Sequence, residues 1–206
     1  MLFVDGGNDA VGIGVTPSDW HADYSALQVG GMGSWASITS AAAGGQVWFT
    51  NNMTYDGTGS TGYQYIVNDE ATLYRQLNGI HRFQTSPSGV AAGGDVATLT
   101  TVMEITAAGL VGIGESSPLG ILHVKSADSG ASVASDSDEL VIEGSGHTGM
   151  SIIGGSAHSL TISFGHSGDN NEGYINYDTS SSALSFAANT TARMVLDANS
   201  RISLSN

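Results

Sequence analysis

The sequence predicts an all-β fold made of two tandem small modules of short antiparallel strands. Three observations carry that prediction. Apolar residues alternate with small or polar ones at a period of two along almost the whole chain. Turn-forming clusters (GG, SG, DG, GDNNEG, DTSSS, DANS) interrupt the alternation at intervals of about ten residues. The phrase VGIG occurs twice, as Val11-Gly12-Ile13-Gly14 and Val111-Gly112-Ile113-Gly114, and a proline, Pro17 or Pro118, follows each copy. No helical period of useful length competes with these signals.

Taken in order, the opening MLFVDGGNDAVGI reads as strand, turn and strand. After the first VGIG, the stretch SDWHADYS leads to a strand marked by Leu27 and Val29, and Val47 with Phe49 marks another. TLYRQL-NG-IHRFQT is the clearest hairpin, because Asn78-Gly79 is the favoured pair for a two-residue type I′ turn. In that register Leu77 opposes Ile80, Arg75 opposes Arg82, and Tyr74 opposes Phe83. Met103/Ile105 and Val111/Ile113 then repeat the opening phrase, and Leu122/Val124 and Leu140/Ile142 follow. Leu160/Ile162/Phe164, Leu184/Phe186, Met194/Leu196 and Ile202/Leu204 complete the set.

The repeat extends beyond VGIG. MEITAAGLVGI (Met103 to Ile113) is echoed at an offset of 91 by MVLDANSRISL (Met194 to Leu204), and GYQYI (62–66) by GYINY (173–177). The domain reading is therefore residues 1–14 as the end of a preceding repeat, 15–110 as the first module, and 111–206 as the second, opening on its own VGIG junction. The first module carries about 21 extra residues between Tyr74 and Val102, since Tyr65 to Met103 spans 38 positions and Tyr177 to Met194 only 17. Because the chain begins and ends inside the repeating phrase, the expectation is a piece of a longer protein.

Composition removes several function classes. The 206 residues include no cysteine, so neither disulfides nor thiolate chemistry is available. Nineteen acidic against five basic residues give a net charge of −14, which opposes binding to nucleic acid or to an anionic membrane surface. No basic, apolar leader opens the sequence, and no apolar run approaches the roughly 20 residues of a membrane helix. One lysine, Lys125, and four arginines leave few sites for trypsin-like proteases, which suits an extracellular setting.

In a strand, Val111 and Ile113 point one way while Gly112 and Gly114 leave the other face bare, as do Gly12 and Gly14 beside Val11 and Ile13. Glycine weakens a strand, so its presence argues for close approach of another backbone. A partner chain wrapped around the same axis is one source of that backbone; an ordinary glycine-rich edge strand within one sandwich is the other.

The phrase Met-x-Ile … Gly-x-Val-Gly-Ile-Gly … Pro … Leu-x-Val is carried by Met103, Ile105, Gly109, Val111 to Gly114, Pro118, Leu122 and Val124. It resembles the junction repeated along phage tail-fibre shafts and related virion appendages, many of which end in an intramolecular chaperone of the endosialidase type. The earlier copy matches at Val11 to Gly14, Pro17, Leu27 and Val29; the last keeps only the apolar positions, with Ser203 where glycine is expected. No chaperone domain is present in the sequence. The resemblance covers about a third of the chain. It implies a parallel homotrimer strung along a fibre axis, with the VGIG residues as trimer-packing positions and other fibre or tail proteins at either end.

Candidate chemistry is sparse. Two like charges directly across a ladder, Arg75 and Arg82, are destabilising unless an anion sits between them. An acidic host-surface glycan is the functional reading; neutralisation by Asp69 or Glu70 is the plainer and favoured one. Trp20 and Trp35 lie in turn-rich segments, and such rings suit sugars when exposed. The histidines show no His-x-His pair, and GDNNEG and SDSDE lack EF-hand spacing, so no metal and no cofactor is expected. There is no nucleophile elbow and no dinucleotide loop, and the chain is too short and interrupted for the long β-helix of polysaccharide-cleaving tailspikes. The expectation is a non-enzymatic tail-fibre shaft segment in the extracellular virion, serving host attachment. The alternatives are a glycan-reading module of the same fibre and a bacterial surface filament.

Overall fold

Residues 1–7, 9–38, 45–57, 61–87, 93–96 and 98–204 are described by a computed structural model, and every regular element among them is a β-strand. The chain is all-β, as its alternation predicts. It divides into two compact units, 1–148 and 149–206. The module boundary read at 110 falls inside the first unit, because the second VGIG strand pairs back onto the strand before it and the next strands extend the same sheet.

The first unit contains β1 (Leu2–Asp5), β2 (Ala10–Ile13), β3 (Tyr24–Val29), β4 (Gly33–Ile38), β5 (Gln46–Asn51), β6 (Met53–Tyr55), β7 (Tyr63–Tyr65), β8 (Ala71–Leu77), β9 (Ile80–Ser86), β10 (Thr100–Ile105), β11 (Val111–Ile113), β12 (Leu122–Lys125) and β13 (Leu140–Glu143). Eleven of them form one sheet in the order β1-β2-β3-β4-β5-β8-β9-β10-β11-β12-β13, and β6 with β7 forms a separate ribbon. Pairing is antiparallel as expected except at three places. β2 with β3, β11 with β12, and β12 with β13 run parallel. The first two arise because the proline loops after VGIG, residues 14–23 and 114–121, carry the chain back before the next strand begins.

The hairpin predicted around Asn78-Gly79 forms in the predicted register, with Leu77 opposite Ile80, Arg75 opposite Arg82 and Tyr74 opposite Phe83. Both turn residues have positive φ, 51° and 81°, as a type I′ turn requires. This hairpin belongs to the extra stretch of the first module; positions 88–92 and 97 of that stretch lie outside the described residues.

Alternation gives the sheet two unlike faces. On one, a single cross-strand row spans all eleven strands: Val4, Val11, Leu27, Trp35, Phe49, Tyr74, Phe83, Met103, Ile113, Val124 and Ile142. Four of its rings stack in succession, Trp35 on Phe49, Phe49 on Tyr74 and Tyr74 on Phe83, with centroids 5.9, 6.0 and 4.7 Å apart. On the opposite face Ala10, Ala26, Ala36 and Trp48 are buried with Trp20, Tyr24, Met53, Tyr63, Tyr65, Leu73 and Val96 in one core cluster. Small alanines leave the volume that these large rings occupy. Asn52, fully buried, locks the adjoining turn: its Nδ2 donates to the carbonyls of Val67, Asp69 and Glu70, and its Oδ1 accepts from the Val67 amide.

Alternating strands ordinarily bury their apolar side. Within one chain the reverse holds. Trp35 and Phe49 are 49% and 47% exposed, while Ala36, Trp48 and Gln28, of the other parity, are sealed.

The second unit is an antiparallel meander of β14 (Ser159–His166), β15 (Asp169–Asp178), β16 (Ala183–Ala188), β17 (Thr191–Leu196) and β18 (Ile202–Leu204). Its last hairpin reproduces an earlier one. Met194 faces Leu204 as Met103 faces Ile113. The Asp197 and Ser200 amides donate to Arg201 and Asp197 carbonyls, as the Thr106 and Gly109 amides do to Leu110 and Thr106. Even the positive φ recurs, 86° at Gly109 and 61° at Ser200. The other echo does not carry over: Tyr63 and Tyr65 lie in the two-stranded ribbon, Tyr174 and Tyr177 in the five-stranded sheet.

Candidate functional site at the VGIG junctions

Each VGIG strand is the second strand of a hairpin and is closed by its last glycine. The Gly14 amide donates to the Met1 carbonyl (2.8 Å) and the Gly114 amide to the Val102 carbonyl (3.0 Å). Both glycines have φ above 70°, a left-handed turn that side chains resist. The chain then folds over the other glycine. A Cβ on Gly12 would collide with the Val15 carbonyl oxygen and lie 2.9 Å from the Pro17 ring; on Gly112 it would collide with the Glu115 carbonyl oxygen and lie 3.0 Å from Pro118. The backbone that needs these bare faces therefore belongs to the same chain. This corrects the expectation that Gly12 and Gly112 receive a sister polypeptide, because their own proline loops already fill the space.

A polar side chain finishes each clasp. Gln28, directly across from Gly12 on the parallel strand, accepts the amide of Ser18, the residue after Pro17 (2.9 Å). His123 stands across from Gly112 and accepts, on Nδ1, the amide of Leu119, the residue after Pro118 (3.3 Å). Both are buried, and each satisfies a backbone donor that would otherwise be stranded under the loop.

The second clasp also carries charge. His123 Nε2 lies 2.9 Å from Glu143 Oε2, and the Lys125 ammonium lies 2.7 Å from Glu115 and 3.5 Å from Glu143. Glu115, His123 and Glu143 bring three possible metal-ligand atoms within 4.8 Å. Two features favour an ion-pair clasp over a cation cage. Lys125 already supplies positive charge between the carboxylates, and the Leu119 amide claims the Nδ1 lone pair.

Hydrogen bonds from the Ser129 amide and hydroxyl, with help from Lys125, pull the Glu143 carboxyl from an ordinary 4.5 down to about 2. Glu115 is lowered as well, first by Lys125 and then by the Ser117 amide. A depressed carboxyl pKa stabilises the fold fully above its unfolded value and loses that contribution as pH falls through the folded one. Urea unfolding across a pH series is thus expected to show stability of the first unit draining away between about pH 4.5 and 2. Glu143→Gln should flatten that slope, and an unaltered slope would remove Glu143 from the account.

Arg75 and Arg82 do oppose each other, but on the core side of the sheet. The anion beside Arg82 is Glu104, its cross-strand neighbour on β10, only 2% exposed and bonded through the Arg82 Nε–H. Neither Asp69 nor Glu70 takes that place; their carbonyls hold Asn52. Arg75 runs among the tyrosines and bonds the Tyr63 hydroxyl, which burial nevertheless pushes up to about 12. Trp20 is 3% exposed and belongs to the core, so it offers no face to a sugar. Trp35 is open, with one ring face stacked on Phe49.

Gln28, His123 and Glu104 were not singled out from the sequence. The available signal was parity: within their strands Gln28 and His123 share the side of the glycines, and that side turns out to be the covered one. Comparison of the chain with family models, curated proteins and solved structures returns no match.

Proposed function

We propose that the chain is a structural shaft segment of a trimeric phage tail fibre, non-enzymatic, extracellular and part of the virion's host-attachment apparatus, with other fibre or tail proteins at either end. The observation that carries this reading is the open apolar row across the first unit's sheet. Val4, Trp35, Phe49, Phe83, Ile113 and Ile142 on that face are each at least 38% exposed. An apolar row that crosses all eleven strands is the kind of exposed patch that marks an interaction surface. Three copies turned toward a common axis cover one another's rows, and the clasped junctions serve as stiff joints along the chain. The tandem hairpin–proline–parallel-strand phrase adds the resemblance to fibre shafts.

Light scattering on the purified chain is expected to give three times 21.0 kDa, and a lasting 21.0 kDa monomer would overturn the reading. Antibody against the chain is expected to decorate virion tails in electron micrographs. A glycan-reading role is favoured by one observation, the open Trp35. A glycan array in which binding disappears with Trp35→Ala would move the conclusion to that second reading.

A further inference from the structure

The second unit lacks what the first possesses. Among its described residues, none is buried. Yet its sheet is sharply two-sided. Leu160, Tyr177, Leu184, Leu196 and Ile202 form one cross-strand row and Ile162, Ile175, Phe186, Met194 and Leu204 the next, on the same face. The reverse face is mainly polar, with Asn176 Nδ2 bonded to Thr161 across the strands (2.7 Å). The unit's remaining segment covers little of the apolar grid: Gly154 lies against Leu160 at its edge, while Met150, Ile152 and Ile153 are themselves exposed. A single sheet with one wet face and one uncovered apolar face has no interior to offset the entropy of ordering its backbone.

We infer that this unit folds only on assembly, with the apolar face of β14–β18 covered by the same face of further copies of this chain. The inference rests on the trimeric reading above and names the surface that the second unit contributes to it. Three features point to a copy rather than to an unlike partner. The grid carries no charge with which to select one. Six of the ten are more than a third exposed, from 36% at Leu196 to 78% at Leu204, which leaves on the order of 600 Å² open if each large residue presents about 200 Å². That approaches the ~800 Å² each partner gives to a stable interface. Finally, the face holds both a projection and a recess. Phe164, 55% exposed, stands beside a shallow hollow of about 350 Å³ over Gly173 and Ala188, rimmed by His166 and Glu172. A face that gives a ring to one neighbour and takes a ring from another makes the head-to-tail contact that closes into a cyclic assembly.

The test uses the full chain. Light scattering and limited chymotrypsin digestion are followed together over roughly a hundredfold dilution. Residues 149–206 are expected to become cleavable as the assembly dissociates, while the first unit's core segments stay protected by their own packing. Phe186→Asp should expose 149–206 at every concentration. Gly173→Val is the sharper variant, since a Cβ there meets only ordinary contacts, the nearest being the Ala187 carbonyl oxygen at 3.4 Å, and β-branching suits a strand. It fills the hollow and should move dissociation to higher concentration. Protection of 149–206 in a 21.0 kDa particle would overturn the inference and the trimeric reading together. A trimer whose mass and protection withstand both substitutions would sink this face alone and leave the fibre reading standing.

Discussion

Gly112→Ala is expected to destabilise the first unit by about 3 kcal/mol or more, at the upper end of what overpacking does. The added methyl would run into the Glu115 carbonyl oxygen, with Pro118 3.0 Å away on the same side. Neither neighbour is the free end of a flexible side chain. Moving Glu115 disturbs its ion pair with Lys125, and moving Pro118 withdraws the Leu119 amide from His123. One methyl group thus works against two interactions that close the same loop. At about 3 °C per kcal/mol for a unit of this size, the thermal midpoint should fall by roughly 10 °C. Gly146→Ala is the control: nothing lies within 4 Å of its added carbon, so its effect should stay within about 0.5 kcal/mol. If the two substitutions behave alike in thermal unfolding followed by circular dichroism, the loop does not depend on the bare glycine.

The same geometry explains how far the sequence could be read. Period-two alternation and the Asn78-Gly79 turn are local signals, and each strand–turn–strand unit they imply is present with its register. Which face each strand buries is not local. Leu27 and Val29 flank Gln28, and such a triplet ordinarily places the glutamine in water. Here the proline loop crosses the Gln28 side and needs an acceptor for the Ser18 amide, so the polar residue is inside and its apolar neighbours look outward. His123 between Leu122 and Val124 repeats the inversion. Glycine at positions 12 and 112 correctly signalled a close backbone, but not whose. A neighbouring chain and a loop three residues ahead leave the same mark in sequence; only the path of the loop separates them. Glu104 was hidden for a related reason, since pairing of β10 with β9 puts it opposite Arg82 from 22 positions away.

Arg82→Ala is expected to cost the first unit about 2–4 kcal/mol, less than the ~3–5 kcal/mol of a fully buried ion pair because the Arg82 side chain itself reaches solvent. The row across the sheet reads Arg75, Arg82, Glu104, Gly112, so Glu104 has Arg82 on one side and no side chain on the other. With Glu104 only 2% exposed, water reaching it through the space Arg82 leaves replaces the guanidinium only in part. The double variant Arg82→Met with Glu104→Leu removes both charges and keeps the volume, and most of the stability should return. A double-mutant cycle in urea measures the coupling directly. It also decides what the two opposed arginines are for. If the double variant is stable and binds cells or glycans as the parent does, the pair is a structural crosslink whose charge is already spent on Glu104. If Arg82→Ala leaves stability untouched but abolishes such binding, Glu104 is not its working partner, and the like-charge pair is an anion site after all.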